Sequence, residues 1–368
     1  MAQEDRRIAA LTDYALLGRS GLRVSPLCLG TMTFGTEWGW GADAETSRAQ
    51  FLRYVEAGGN FVDTADGYTG GRSEELLGQF MQEAGNRDQL VVATKFTFNA
   101  RPGDPNAGGN GRKNALRALE GSLRRLRTDY VDLYWLHAWD MLTPVEEVVA
   151  TLDAMVRAGK VRYVGLSDTP AWYLARAQTL AELRGWERIV ALQLEYSLVE
   201  RTMEREHVPA ALELGMGICV WSPLASGFLA GKYRRGAQGE VEGAGRLDAV
   251  KSSGNPAFDK FTERNWRILD VLLDVARQLG SPPARVALRW AATRPGVTST
   301  LVGATRVAQL EDNLGALALE IPPPLMARLE EATRLDAASP YLFFTPAMQR
   351  GIQGGVPVRR EPPWFRGG

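Results

Sequence analysis

Short, nearly continuous apolar runs alternate along the chain with stretches whose apolar residues recur every three or four positions. Eight runs read as strands: residues 26–30, 60–63, 90–95, 130–137, 163–167, 190–196, 217–221 and 298–303. Runs of this kind suit parallel strands covered on both faces. Amphipathic helices are expected between them at 46–57, 73–81, 112–127, 144–158, 171–184, 203–214, 261–280 and 307–317. Gly58-Gly59, Gly159 and Gly280 stand where these helices should stop, supplying left-handed residues.

Eightfold strand–helix alternation implies a parallel sheet. The first seven strand ends recur at about 30-residue intervals, the size of one β/α unit. A closed (β/α)8 TIM barrel of the α/β class accounts for the count better than an open doubly wound sheet. An open sheet holding a dinucleotide would carry Gly-x-Gly-x-x-Gly after its first strand, and residues 29–35 read Leu-Gly-Thr-Met-Thr-Phe-Gly instead. Residues 14–17 and 22–24 flank Gly18-Arg19-Ser20-Gly21 and read as an N-terminal β-hairpin ahead of the barrel. The long Gly- and Arg-rich interval 222–260 is expected to be a mobile loop, and residues 351–368 a flexible tail. No change of character marks a boundary, so residues 1–368 are taken as one domain, with a core at 14–334 and a lid or tail at 335–368.

Composition narrows the partners. Lys+Arg and Asp+Glu both number 43, so the formal charge is zero and neither nucleic acid nor an anionic membrane is implied. Cys28 and Cys219 both lie in apolar runs and read as buried reduced thiols, which suggests a cytoplasmic protein. With two His and two Cys at distant positions, no metal site is implied. Arg124-Arg125-Leu126-Arg127 closes a helix, where cations suit the dipole, and His207 reads as an exposed residue near a helix start.

In such a barrel chemistry sits where strands meet their following loops. The polar residues there are Asp63, Lys95, His137, Ser167, Gln193 and Glu195. Asp63 and Lys95 end adjacent strands and read equally as a structural ion pair or as part of a site. Tyr68 follows on the loop after Asp63; a neighbouring cation would lower its phenol toward a range useful for a general acid. His137 closes the next strand, a position more often filled by a core histidine, yet it converges on the same rim.

These residues carry a resemblance. Leu-Gly-Arg-Ser-Gly-Leu-Arg-Val-Ser (17–25), Phe-Val-Asp-Thr-Ala-Asp-Gly-Tyr (61–68), Arg-Ser-Glu-Glu-Leu-Leu-Gly (72–78) and Val-Ala-Thr-Lys (92–95) are followed by Asp-Leu-Tyr-Trp-Leu-His (132–137) and Arg-Tyr-Val-Gly-Leu-Ser-Asp (162–168). Gln-Leu-Glu-Tyr-Ser (193–197) and Trp-Ser-Pro-Leu-Ala-Ser-Gly-Phe-Leu-Ala-Gly-Lys-Tyr (221–233) complete the series. The sequence resembles the aldo-keto reductases over about 14–334, most of all the bacterial reductases of the aryl-alcohol dehydrogenase and potassium-channel β-subunit branch.

The resemblance implies an NADPH-dependent carbonyl reductase. Tyr68 would protonate the carbonyl oxygen as hydride arrives at carbon, Lys95 held by Asp63 would acidify Tyr68, and His137 would orient the carbonyl. Ser167, Asp168 and Gln193 match positions that bind the nicotinamide carboxamide, and Trp221 the aromatic that stacks on its ring. Many relatives have Asn where this chain has Asp168, a departure expected to alter cofactor affinity without abolishing binding. Asp63, with Gly30, Thr31 and Met32 after the first strand, is also assigned to the cofactor. Ser222, Pro223, Leu224, Gly227 and Lys232 resemble a loop wrapping the pyrophosphate; Gly303, Thr305, Gln309, Asp312 and Asn313 match the adenosine end. Lys232, Arg246 and Arg306 are candidate cations for a 2′-phosphate, favouring NADP(H) over NAD(H). Thr31, Met32, Trp38, Trp40, Trp139 and residues 341–344 suggest a cleft for an aromatic or apolar carbonyl, with 342–349 as a lid. The same branch leaves open a nucleotide-holding regulatory or redox-sensing barrel with slow turnover, and a homo-oligomer.

Overall fold

The computed structural model describes residues 8–236, 240–243, 245–247 and 258–356. Its centre is a closed parallel barrel in the order β12-β3-β4-β5-β6-β7-β8-β9. The strands are β3 (Leu27–Gly30), β4 (Phe61–Asp63), β5 (Val91–Phe96), β6 (Val131–Leu136), β7 (Val161–Ser167), β8 (Ile189–Glu195), β9 (Gly217–Trp221) and β12 (Val297–Val302). All eight coincide with the apolar runs. The reason is visible in β5, where every residue from Val91 to Phe96 is buried, one set facing the barrel interior and the other the helices.

A helix layer surrounds the strands: α1 (Ala44–Glu56), α2 (Arg72–Ala84), α3 (Arg112–Leu126), α4 (Val145–Arg157), α5 (Ala171–Arg184), α6 (His207–Leu214), α7 (Glu263–Leu279), α8 (Pro283–Ala292), α9 (Val307–Leu314), α10 (Pro323–Thr333) and α11 (Pro346–Ile352). None of the described helices is long and apolar enough to cross a membrane. Asp43 and Thr262 cap α1 and α7, each side chain accepting from a backbone N–H of the first turn. The periodicity did not foretell α8, α10 and α11. All three open at prolines, which interrupt the sequence pattern but fit the first helical turn, where no N–H is needed.

Two apolar layers result. Cys28, Phe61, Ala93, Leu133, Trp135, Ala191 and Cys219 fill the barrel interior, while a larger set joins strands to helices. Both cysteines are free and buried. The hairpin β1 (Ala15–Leu16) and β2 (Arg23–Val24) plugs the N-terminal end, with Leu17 and Val24 fully buried against the interior. Gly18 makes this possible: at φ +59° its backbone passes so near β8 and β9 that a Cβ would lie 2.3 Å from the Val190 carbonyl oxygen. The chemistry is thereby confined to the opposite, C-terminal mouth. There the 222–260 interval contributes a further small hairpin, β10 (Arg234–Arg235) with β11 (Val241–Glu242). Residues 237–239, 244, 248–257 and 357–368 of the expected loop and tail lie outside the described residues.

Gly165 on β7 creates the space for Trp135. A Cβ there would stand 2.3 Å from the indole ring and 3.1 Å from the Ala191 carbonyl oxygen. Gly165→Ala therefore overpacks the barrel and should cost about 1–3 kcal/mol. Urea unfolding of the variant should show a clearly lower midpoint; an unchanged midpoint would contradict this account of the interior.

Candidate active site

Asp63 is the last residue of β4, and Lys95 points inward from the neighbouring β5. Their side chains, 1% and 0% exposed, form an ion pair inside the barrel. Such a pair is tolerated only when the remaining donors and acceptors are satisfied. Here they are. Lys95 Nζ donates to Asp63 Oδ1, to the Thr64 carbonyl oxygen at 2.8 Å and to Tyr68 Oη at 3.0 Å. Asp63 Oδ2 accepts from Trp135 Nε1 at 3.0 Å and Gln193 Nε2 at 2.9 Å.

Tyr68 is aimed by an unusual turn. Thr69, Gly70 and Gly71 all have positive φ, and the Thr69 hydroxyl holds the turn by donating to the Phe34 carbonyl and accepting from Ser73 N–H. Below it Glu74, fully buried, accepts from Thr94 Oγ1 at 2.5 Å and Arg125 Nε at 2.7 Å. Burial, with the Glu74 charge beside it, raises the Asp66 carboxyl to about 7. Arg125 thus serves the loop that carries Tyr68, besides closing α3.

The electrostatics depart from the expectation in one respect. Burial holds the Tyr68 phenol above its ordinary value, although Lys95 pulls it down. The ammonium offsets the cost of burial without overcoming it. Lys95 shows the same contest: burial lowers it, but Asp63 and Tyr68 carry it above the usual ammonium range. His137 is held well below its usual value, by burial and then by the charge of Lys95, so its imidazole is neutral. Its ring stands edge-on to Tyr68 (5.9 Å between centroids) and Phe98 (4.8 Å), with Nδ1 buried and unbonded.

Above these groups opens one cavity of about 1740 Å³, well beyond the few hundred Å³ of an ordinary small-molecule pocket. Tyr68, His137 and Asp63 line one end; Lys95 lies beneath. Gly30, Met32, Ser167, Asp168, Gln193 and Trp221 line the same half. Gln193 spends its amide N–H on Asp63, leaving its carbonyl oxygen available. Asp168 accepts from Trp221 Nε1 at 3.1 Å and, weakly, from Ser167 Oγ at 3.4 Å.

The wall continues through Ser222, Pro223, Leu224, Gly227 and Lys232 to Gly303, Thr305, Gln309, Asp312 and Asn313. Ser222, Ala225, Ser226 and Gly227 all have positive φ, the kind of turn conformation that gathers backbone N–H groups into an anion-binding nest. Thr305 donates through N–H and Oγ1 to Gln309 Oε1, and Asp312 pairs with Arg285. No side chain caps the first turn of α9. A long groove with a nest, an uncapped helix start and an aromatic at its inner end fits an extended dinucleotide.

Five residues or segments sit differently from what the sequence suggested. Thr31 does not line the cavity: its N–H and hydroxyl both donate to the Asp63 carbonyl, and the hydroxyl also meets Ser73 Oγ at 2.8 Å. It braces the strand end instead. Arg246 stands in the Tyr68 half, over Trp40 (5.1 Å) and Phe258 (5.7 Å) with a contact to Met32 Sδ, and it feels the charges of Tyr68 and Glu195. It lines the same cavity as Lys232. Arg306 is exposed and does not line the cavity. The expected lid does not cover the mouth: among the described residues no lining side chain comes after Asn313, and Tyr341 is tied to Glu206 and Arg205 instead. His207, expected to be exposed, is half-buried at the cavity wall with Nε2 2.8 Å from the Thr169 carbonyl oxygen.

Trp38 and Trp139 line the outer mouth as expected, Trp38 standing edge-on to Tyr68 at 6.4 Å. Sequence reasoning missed Trp135, although it lies two residues before His137 on one strand and so shares its inward face. It also missed Lys260, which pairs with Glu195 at 2.8 Å across a stretch of sequence that offers no local signal.

The chain matches the Aldo/keto reductase family over residues 26–334. It is 36% identical over 329 residues to an uncharacterized oxidoreductase of Bacillus subtilis, covering 87% of this chain and 95% of that protein. An NADP(+) aryl-alcohol dehydrogenase of Phanerodontia chrysosporium is 35% identical over 340 residues, 88% of this chain and 86% of its own. A probable voltage-gated potassium channel subunit beta of Oryza sativa is 37% identical over 307 residues, 83% and 90% respectively. The chain belongs to the aldo/keto reductase family and is an NAD(P)H-dependent oxidoreductase.

Proposed function

We propose that the chain is an NADPH-dependent reductase of aromatic or apolar aldehydes and ketones, with Tyr68 as the proton donor. The observation that carries this reading is the 3.0 Å contact between Lys95 Nζ and Tyr68 Oη at the floor of the large cavity. The reduced nicotinamide, when bound, supplies hydride to the carbonyl carbon. Negative charge then builds on the carbonyl oxygen, and groups already aimed there need no reorganisation. Tyr68 hands its proton to that oxygen. The phenolate left behind lies against the Lys95 ammonium, which stabilises it more strongly than water would in so dry a site. Asp63 keeps Lys95 charged and fixed. His137, neutral, donates a hydrogen bond to the substrate oxygen without setting a second cation beside Lys95.

Trp221, Ser167, Gln193 and Asp168 are the groups we assign to the nicotinamide, the nest at 222–227 to the pyrophosphate, and the groove to Asn313 to the adenosine half. Lys232 lines that route and is our candidate for favouring the 2′-phosphate, hence NADP(H) over NAD(H). The substrate class follows from the mouth, where Trp38, Trp40, Phe98, Trp139 and Met141 offer mostly apolar surface. An aryl-alcohol dehydrogenase among the relatives agrees with it.

Tyr68→Phe removes only a hydroxyl and should lower kcat at least about 100-fold while NADPH affinity stays unchanged. Normal aldehyde reduction by that variant would refute the proton assignment. Lys95→Met should lose activity to a similar degree. It should also unfold at lower urea, because Asp63 is left as an unpaired buried charge. Trp221→Ala should weaken NADPH binding about tenfold or more, and unchanged affinity would remove the stacking role. NADPH and NADH oxidation followed by absorbance over aromatic aldehydes, quinones and α-dicarbonyls tests the whole reading. Tight NADPH retention with negligible turnover on every member would favour a sensor barrel instead.

A further inference from the structure

We propose that Asp168 is a specificity-determining residue that makes this site hold the oxidised, cationic nicotinamide more tightly than the reduced, neutral one. The proposal rests on the reading that the nicotinamide lies against Trp221. Only the oxidised ring carries positive charge, so a carboxylate on the wall of its pocket discriminates between the two forms by charge alone.

The other strand-end carboxylates at this mouth are already paired. Asp63 is paired with Lys95, and Glu195 with Lys260. Arg246 lies over Trp40 and Phe258 with its Nε unbonded; it feels the charges of Tyr68 and Glu195 and forms no ion pair with Asp168. His137 is neutral, and Nε2 of His207 is engaged at the Thr169 carbonyl oxygen. Among the described residues no cation forms an ion pair with Asp168. Its charge is therefore left over for a ligand.

Asp168 is also fixed in direction. It follows β7 directly in a left-handed conformation, φ 45°, and its backbone N–H donates to the Gln193 carbonyl. One carboxyl oxygen accepts from the Trp221 indole, the ring proposed to stack on the nicotinamide, so carboxylate and stacking surface move as one unit. The carboxyl opens onto the cavity, and in the open groove the residue is exposed. Desolvation by the crowded cavity walls, with the Glu195 charge, raises it to about 7, against the pull of Trp221, Ser167 and Lys95.

The pH dependence follows with a definite sign. Above about pH 7 the group is a carboxylate and favours the cationic ring. As pH falls through that value the carboxylate is protonated and the preference disappears. Binding of the cationic form in turn pulls the carboxyl down, so NADP+ uptake near neutrality releases a proton and NADPH uptake releases less. The overall equilibrium of the reaction cannot change. What moves is the ratio of oxidised to reduced nucleotide on the enzyme, toward retention of NADP+ and release of NADPH.

Calorimetric titration of the full-length protein with NADP+ and with NADPH, from pH 5.5 to 9, tests this. The ratio of the two dissociation constants is the readout, because titration of the 2′-phosphate affects both nucleotides and cancels. Wild type should gain about tenfold in relative NADP+ affinity between the acidic and basic ends. Asp168→Asn, which keeps the acceptor for the Trp221 indole, should give a flat profile at the acidic value. A ratio that stays within twofold across pH in wild type, or that remains pH-dependent in the variant, overturns the proposal while leaving the reductase reading intact. Failure of wild type to bind either nucleotide overturns both. The wild-type profile alone decides the matter if the variant does not fold.

Discussion

The ion pair between Lys95 and Asp63 is the constraint around which the mouth of this barrel is built. Two opposite charges with essentially no exposed surface are expensive to bury, and the cost is met only by satisfying every remaining proton and lone pair. Trp135 and Gln193 close the Asp63 side, while Thr64 and Tyr68 close the Lys95 side. Each demand reaches further into the fold. Trp135 fits because β7 has Gly165 opposite it. Gln193 reaches Asp63 because β8 runs parallel to β7 in a register pairing Ser167 with Gln193. Tyr68 arrives because three successive positive-φ residues bend the chain after it.

This arrangement explains why the tyrosine rather than the lysine faces the cavity. Lys95 lies beneath the surface, its donors used up by three acceptors, and does not contact a ligand directly. Tyr68 is its one route to the cavity. The buried pair therefore presents the effect of a cation through a phenol, a group able to give up a proton and take it back. Burial alone would have held the phenol inert. The ammonium compensates, and a site closed by a bound nucleotide strengthens that compensation by excluding water.

Most of the fold was legible because the barrel strands are buried on both sides and so leave continuous apolar runs. The missed helices, α8, α10 and α11, begin at prolines that interrupt the pattern. The convergence of Asp63, Tyr68, Lys95 and His137, and the lining of the groove, were legible through a family resemblance carried by short motifs at strand ends. The departures from the expected placement fall where position depends on long-range packing. Thr31 belongs to a strand end but turns its hydroxyl inward to Asp63 and Ser73. Arg246 sits in a loop whose path no local pattern specifies, and it finds Trp40, more than 200 residues away in the chain. The tail carries aromatics, yet Tyr341 is drawn to Glu206 and Arg205 beside the mouth instead of across it.

Asp63 and Asp168 show how one rim gives two carboxyls different properties. Both stand at the C-terminal ends of parallel strands and both line the cavity. Asp63 accepts from an ammonium, an indole and an amide, and its charge is spent within the protein. Asp168 has one indole at 3.1 Å and a distant hydroxyl, so its proton is held near neutrality and its charge remains available. An amide at that position would accept the same indole hydrogen bond with no charge to offer. What the carboxyl adds is a term that depends on the ligand's own charge, and the nicotinamide is a ligand whose charge changes by one in the very step the Lys95–Tyr68 pair assists. On the proposed function, the two halves of the rim would then address the two halves of one hydride transfer: one group steadying the oxygen that gains the proton, the other the ring that loses the electrons.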